Sequence, residues 1–282
     1  MIITDAQVHI WEVDRPDRPW PKRPSGPPQK SNGYSAEEML AEMEIAGVDR
    51  AVLVPPTYVG EGNETALEVH QRYPTRFATM GRFDIKRPDM REALAAWNHQ
   101  PGMLGIRHTF FGQFREWFDA GEYEPFWAAA EEYSVPVMCL THGFPEALGP
   151  IAERHPGLKL IIDHFGAYLD KRGAEAFAMI DRLLPLAKHP NILVKVTCAP
   201  SISAEEYPFE DLYPFLKQIH EAFGPRRLMW GADITRLRST YLECLKHFQE
   251  GLDFLSAEDK EWILGKTIAT ELQWPESRDQ DV

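Results

Sequence analysis

Short apolar runs alternate along this chain with stretches in which apolar residues recur every three or four positions. The first run, Ile3-Thr4-Asp5-Ala6-Gln7-Val8-His9-Ile10-Trp11, alternates in an extended pattern and turns Gln7 and His9 to the same side of a strand. Residues 51–54 are uniformly apolar and stop at Pro55-Pro56, as a parallel strand covered on both faces should. The same reading predicts strands over 77–81, 103–107, 135–141, 158–163, 191–196 and 227–231. Helical spacing fills the gaps. Ser35 and Glu38 have the form of a capping box, and the helix they start stops at Gly47. Further helices are predicted over 64–73, 89–97, 123–133, 146–155, 174–188, 209–223, 238–249 and 256–274.

Eight strands separated by helices imply a parallel sheet closed into a (β/α)8 TIM barrel, an α/β fold. A doubly wound open sheet is the competing topology, but no Gly-x-Gly-x-x-Gly turn follows the first strand. The 282 residues suit one such barrel, so residues 1–282 are expected to form a single domain. One segment breaks the pattern. Between Glu12 and Tyr34 stand Pro16, Pro19, Pro21, Pro24, Pro27 and Pro28, which exclude a regular helix or central strand. A loop over 12–34, directly after the first strand, would lie over the barrel mouth; a solvent-exposed flap is the plainer alternative.

Charge narrows the partners. With 30 basic and 43 acidic side chains the net charge is -13, which disfavours a broad phosphate-binding surface and argues against nucleic acid. No apolar stretch is long enough to span a membrane and no leader-like segment opens the chain, so a cytoplasmic location is expected. Cys139, Cys198 and Cys244 are odd in number and lack metal-ribbon or redox spacing, and read as reduced core thiols. Whether the chain forms a homo-oligomer is left open.

In a barrel the catalytic groups gather at the carboxyl ends of the strands. Here His9 ends the first strand, Arg107 and His108 the fourth, His142 the fifth, His164 the sixth and Asp233 the eighth. Any one histidine at a strand end is more often structural, but four with an aspartate in register point to a site. His70, His99, His155, His189, His220 and His247 fall on helices or helix ends and read as solvent-facing or capping. Trp97, Trp117, Trp127 and Trp262 read as helix packing, whereas Trp11 and Trp20, near the mouth, are candidates for substrate contact.

Asp5-Ala-Gln-Val-His9-Ile-Trp11, Gly105-Ile-Arg107, Thr141-His142, Asp163-His164-Phe-Gly166, Val194-Lys195-Val196, Gly224-Pro-Arg-Arg-Leu-Met-Trp-Gly-Ala-Asp233 and Ile263-Leu-Gly-Lys-Thr-Ile-Ala269 span nearly the whole chain in order. Together they resemble the amidohydrolase superfamily, in particular its branch of sugar-lactone hydrolases and 2-pyrone-4,6-dicarboxylate lactonase. By that resemblance His9 and His142 match metal-binding histidines, and Asp233 matches the aspartate that holds the metal or takes a proton from water. His164 matches a histidine that orients or polarises the substrate carbonyl. Gln7 departs from the pattern, standing where many members of the superfamily have a ligand histidine.

Two mechanisms follow from the resemblance. In one, zinc held by His9, His142 and Asp233 activates water. In the other no metal is needed: Asp233 is the general base and the histidines polarise the carbonyl. Gln7 favours the second, because an amide oxygen is a poor zinc ligand. Arg107, Lys195, Arg236 and Arg238, near the mouth of an acidic protein, suggest capture of a substrate carboxylate, with salt bridging as the plain alternative; Gln7 and Trp11 are further candidates for substrate contact. Asp233-Ile-Thr-Arg236 replaces the Asp-Trp-Pro that most relatives carry, so the pocket wall differs. The expected function is hydrolysis of a small, carboxylated lactone or related cyclic ester. The alternatives are a zinc-dependent non-oxidative decarboxylase of the same superfamily, and a catalytically silent ligand-binding barrel.

Overall fold

The eight apolar runs become eight strands in the computed structural model, which describes residues 1–16, 18–20, 30–60 and 62–274. They are β1 (Thr4–Val8), β2 (Arg50–Leu53), β3 (Phe77–Gly81), β4 (Met103–Thr109), β5 (Val137–Leu140), β6 (Leu160–Ile162), β7 (Ile192–Thr197) and β8 (Leu228–Gly231). Each pairs in parallel with the next, in the sheet order β1 to β8. Helices lie between successive strands, as parallel crossovers require. Among the described residues no helix is long and apolar enough to cross a membrane.

Inside the barrel, Ala6, Val52, Met80, Met138, Ile161, Leu193 and Met229, one from each of seven strands, form an apolar plug against which Leu104 of β4 also packs. Ile268, Leu272 and Trp274 close its lower end. There Arg50, at the start of β2, donates to Thr4 Oγ1 at 3.0 Å and to the carbonyl of Trp274 at 3.2 Å. Truncating one such core residue to alanine costs about 2–5 kcal/mol, so the plug is a rigid floor for whatever sits above it.

β1 and β8, at the two ends of the order, meet through Asp5. Its carboxylate accepts the backbone N–H of Gln7 at 2.8 Å, that of Ala232 at 3.0 Å and the Tyr241 hydroxyl at 2.9 Å. The Asp233 N–H adds a bond to the Gln7 carbonyl at 2.9 Å. Gly231 is required here: a Cβ would lie 2.6 Å from Asp5 Oδ1 and 2.8 Å from the Ala6 nitrogen.

Several helices are more broken than their spacing predicts. The single helix expected over 174–188 is a 3-10 turn at Gly173–Glu175, a helical turn at Ile180–Leu183 and a second 3-10 segment at Leu184–Lys188, which begins at Pro185's neighbour because proline has no N–H to continue the ladder. The run expected over 256–274 is Ala257–Glu261, a π-helical turn at Trp262–Lys266 and Thr267–Glu271. Helices at Gln113–Asp119 and Ala199–Ile202 carry no amphipathic signal strong enough to predict them.

The proline-rich segment leaves and returns at one place, where Trp11 and Tyr34 exchange backbone hydrogen bonds of 3.1 and 2.9 Å. Arg18 ties its first part down through Glu12 at 3.0 Å and Glu68 at 2.7 Å. Residues 17 and 21–29 lie outside the described residues, and with them the middle of the loop expected to cover the mouth.

Candidate active site

Four successive strands end in the same unusual way. His142 (φ 45°), His164 (φ 49°), Cys198 (φ 67°) and Asp233 (φ 51°) stand one or two residues beyond β5, β6, β7 and β8 in the left-handed backbone region. For residues with a Cβ this costs on the order of 1–3 kcal/mol each, and such strain gathers at functional sites. Neighbouring strands hold the turns: the N–H of Gly143 donates to Gly166 at 2.9 Å, that of Cys198 to Gly231 at 3.2 Å, and that of Asp233 to Gln7. The left-handed turn swings each side chain off the strand's own alternation.

Asp233 is the centre of what results. It is fully buried, and neither carboxylate oxygen has a hydrogen-bond partner. Oδ1 lies 3.3 Å from His9 Nε2; Oδ2 lies 3.8 Å from His164 Nε2 and 3.3 Å from Arg236 Nε. His9 Nδ1 is 2.6 Å from the Val54 carbonyl, which can only accept, so Nδ1 carries the proton. The Nε2 lone pair of the neutral ring then receives the Gln7 amide N–H at 3.1 Å while facing a carboxylate. His164 Nδ1 meets Thr197 Oγ1 at 2.7 Å, and its Nε2 faces Asp233 in turn.

Burial sets the charges. It lowers the pKa of His9 and brings that of His164 to about 3, with Asp233 opposing both shifts, so both rings are neutral near pH 7. Burial alone would push Asp233 up, but His9 and His164 when they carry a proton, and Arg236 and Arg107 throughout, hold it below the ordinary carboxylate value, and it is ionised. Sγ of Cys198 completes a group in which its ligand atom and those of His164 and Asp233 all lie within 4.8 Å of one another. Burial, reinforced by Asp233, pushes that thiol up to about 12.

Beneath this cluster lies a charged layer. Lys195 follows Leu193 by two residues and Asp163 follows Ile161 by two, so strand alternation sets both directly above the apolar plug. Asp163 pairs with Lys195 Nζ and Arg107 Nε, each at 2.9 Å, and all three are buried. Burial opposes ionisation of Asp163, yet the Lys195 ammonium and the Arg107 guanidinium hold its pKa well below the usual range. Lys195 also donates to Gln7 Oε1. Asp163, Lys195, Gln7 and His9 thus form one connected chain, which ends on the Val54 carbonyl.

The expected metal set of His9, His142 and Asp233 is brought together only in part. His142 Nε2 faces Asp170 at 3.3 Å, its ring lies between those of Phe111 and Tyr168, and its side chain is 26% exposed. Arg107 and Lys195, candidates for a substrate carboxylate, are both paired with Asp163, as the plainer reading held. Arg236 does stand at Asp233. Trp11 and Trp20 line a cleft with Val13, Arg18 and Val59 beside the ends of β1 and β2, and Trp11 is 2% exposed. His108 points away from Arg107 into a cage of Phe110, Tyr123 and Phe126.

Three further residues enter the site without having been singled out. Cys198 read as a core thiol. Thr197 carried no signal. Arg82 directly follows β3, where the strand-end rule would have found it, and donates to Thr109 Oγ1 at 3.3 Å beside Arg107, which donates there at 2.5 Å.

Residues 4–270 match the family model described as Amidohydrolase. The chain belongs to the amidohydrolase family. It is 28% identical over 237 residues to an L-fucono-1,5-lactonase of Burkholderia ambifaria, covering 81% of this chain and 79% of that one. It is 28% identical over 225 residues to a 4-sulfomuconolactone hydrolase of Rhizobium radiobacter, covering 75% and 68%. An amidohydrolase from Burkholderia multivorans, solved with bound zinc, superposes with a TM-score of 0.79 at 19% identity over 98% of this chain and 100% of that one. The barrel of this amidohydrolase is therefore the fold of that structure, with a glutamine at position 7 and a cysteine at position 198 in its own mouth.

Proposed function

We propose that this amidohydrolase opens a small lactone by attack of water, with Asp233 as the group that takes the water's proton. The observation that carries this is the state of Asp233: a buried carboxylate at the end of the last strand, neither oxygen accepting a hydrogen bond, ion-paired to Arg236 and facing two neutral imidazoles. Such a group is a base held ready in a low-dielectric site. The names of the two relatives, both hydrolases of lactones, supply the substrate class.

The residues divide the work. Water attacks the lactone carbonyl as Asp233 accepts its proton; the ring C–O bond then breaks, and the departing ring oxygen takes that proton to give the hydroxy acid. With Thr197 donating to Nδ1, His164 carries its proton on Nε2 and can donate to the carbonyl oxygen. His9 is fixed by Val54 and Gln7, and its Nε2 lone pair faces the mouth beside Asp233, where it can also accept a hydrogen bond from the attacking water. Arg107 and Lys195 against the single charge of Asp163 leave one positive charge in the layer below, while Arg236 is offset by Asp233. That excess, in a chain of net charge -13, favours a lactone that carries a carboxylate or other anionic group.

The unpartnered Asp233 oxygens and the nearby imidazole nitrogen and sulfur also suit a divalent cation such as zinc, which takes nitrogen, sulfur and oxygen ligands. Asp233 and His164 would hold it, the His164 proton then lying on Nδ1 and donated to Thr197 Oγ1 so that Nε2 is free to ligate, with His9 beside the other carboxylate oxygen. A cation there supplies Lewis-acid polarisation and a more acidic water when bound.

A panel of aldonolactones and carboxylated lactones, followed by acid release in weakly buffered indicator, tests the proposal. Acid release from at least one class at enzymic rates is expected. No opening of any lactone, together with carbon dioxide release from aromatic carboxylates, would replace the reading with the decarboxylase.

A further inference from the structure

We propose that Cys198 is a metal ligand in this chain, and that its thiolate, with His164 and Asp233, takes the divalent cation on the β6 to β8 side of the mouth. The inference rests on Asp233 being the centre of the site, as argued above.

Position 7 explains why the ligands would shift. The Gln7 amide is committed on both sides: its oxygen accepts from the Lys195 ammonium and its nitrogen lies 3.1 Å from His9 Nε2. A cation seated on the Gln7 oxygen would have to displace one positive charge to install another. Across the mouth the arrangement is the reverse. Cys198, His164 and Asp233 bring sulfur, nitrogen and oxygen within 4.8 Å of one another, all three buried and all three in left-handed turns that aim them inward.

The independent sign of a ligand is Asp233, whose two oxygens are fully buried and accept no hydrogen bond. Arg236, itself exposed, reaches only Oδ2 at 3.3 Å, and a buried carboxylate with no hydrogen bond is costly unless a further cation or a proton completes it. Thiolate and carboxylate together balance a divalent charge, and the thiol proton leaves to solvent as the cation binds. Three protein ligands with an open position form a reactive zinc site, not a closed structural one. The other two cysteines do not serve: Cys139 Sγ is 3.8 Å from the Val137 carbonyl on β5, and neither Cys139 nor Cys244 belongs to a ligand group among the described residues.

Cobalt reports the thiolate directly, because a cobalt–thiolate bond gives a near-ultraviolet charge-transfer absorption that nitrogen and oxygen ligands do not. The full chain, stripped with chelator, is titrated with Co2+ alone, and the spectrum, stoichiometry and lactone opening are recorded together. One equivalent of Co2+ is expected, with the thiolate band rising to saturation. Cys198→Ser should lose the band and bind cobalt at least about tenfold more weakly, whereas Cys139→Ser and Cys244→Ser should keep both. A wild-type cobalt protein without the band overturns the inference with no variant needed, as does a band that survives Cys198→Ser. A cobalt–thiolate band in a protein that opens no lactone would uphold the ligand and reject the lactonase reading.

Discussion

The Asp5 carboxylate accepts the backbone N–H of Ala232 at 3.0 Å, joining the first strand of the barrel to the last one residue before Asp233. The same carboxylate holds the N–H of Gln7, so one buried acid orients the backbone beneath two residues of the mouth. Closure of the barrel and aim of the proposed base are therefore one structural event. Replacing Gly231 with alanine would push a methyl group to 2.6 Å from Asp5 Oδ1. A destabilisation of about 1–3 kcal/mol is expected, the usual cost of overpacking, and urea unfolding of Gly231→Ala would measure it. An unchanged midpoint would show that the seam can yield.

Asp5 also makes the seam sensitive to pH. Burial raises its pKa from 3.8 to about 7, against the hydrogen bonds from Gln7, Tyr241 and Ala232. The native chain thus keeps this proton where the unfolded chain has lost it. The resulting stabilisation is complete below the unfolded value and is lost as pH rises towards the folded one. The stability of the wild type relative to Asp5→Asn should accordingly fall between about pH 4 and pH 8. Parallel denaturation curves for the two proteins at several pH values check this; a constant difference would mean that Asp5 is ionised throughout.

Asp163 neutralises two buried cations. Removing it as Asp163→Asn leaves Lys195 and Arg107 without a counter-charge at 2.9 Å, and a loss of about 3–5 kcal/mol is expected from breaking a buried ionic group on one side. Combining it with Lys195→Met should recover part of the loss. A cost under about 1 kcal/mol for the single change would show that water reaches the layer.

His142 and His164 are expected to differ. His142 turns to Asp170 and is partly exposed, while His164 faces Asp233 from a buried position. His164→Asn should lower kcat/KM for a lactone at least about tenfold more than His142→Asn does, within the range of single acid–base or polarising groups. The reverse order would restore His142 to the reacting centre.

Much of this barrel is legible in the chain because most strands are short runs dominated by apolar residues and buried on both faces, and many helices begin or end at a capping residue, a proline or a glycine. The strand-end rule brings His9, Arg107, His164 and Asp233 to the mouth because a strand's end is readable from its apolar run, and for His9, Arg107 and Lys195 the extended backbone also carries the side chain's direction in its sequence position. Its limit is that His142 and His164 end their strands in like left-handed turns, so sequence position does not show that one faces Asp170 and the other Asp233, nor that Cys198, in a third such turn, joins the mouth. Pairing was invisible too. Nothing in the sequence shows that Asp163, two residues beyond an apolar stretch, would take up both Arg107 and Lys195, or that Gln7 would be held by the latter.

The proposal that Asp233 is the proton acceptor is tested most directly by kcat/KM for an opened lactone in Asp233→Asn against wild type, with the fold verified by circular dichroism. A fall of about 10²- to 10⁴-fold, the range for a positioned base, is predicted. Turnover within a few-fold of wild type in a folded Asp233→Asn protein would contradict it.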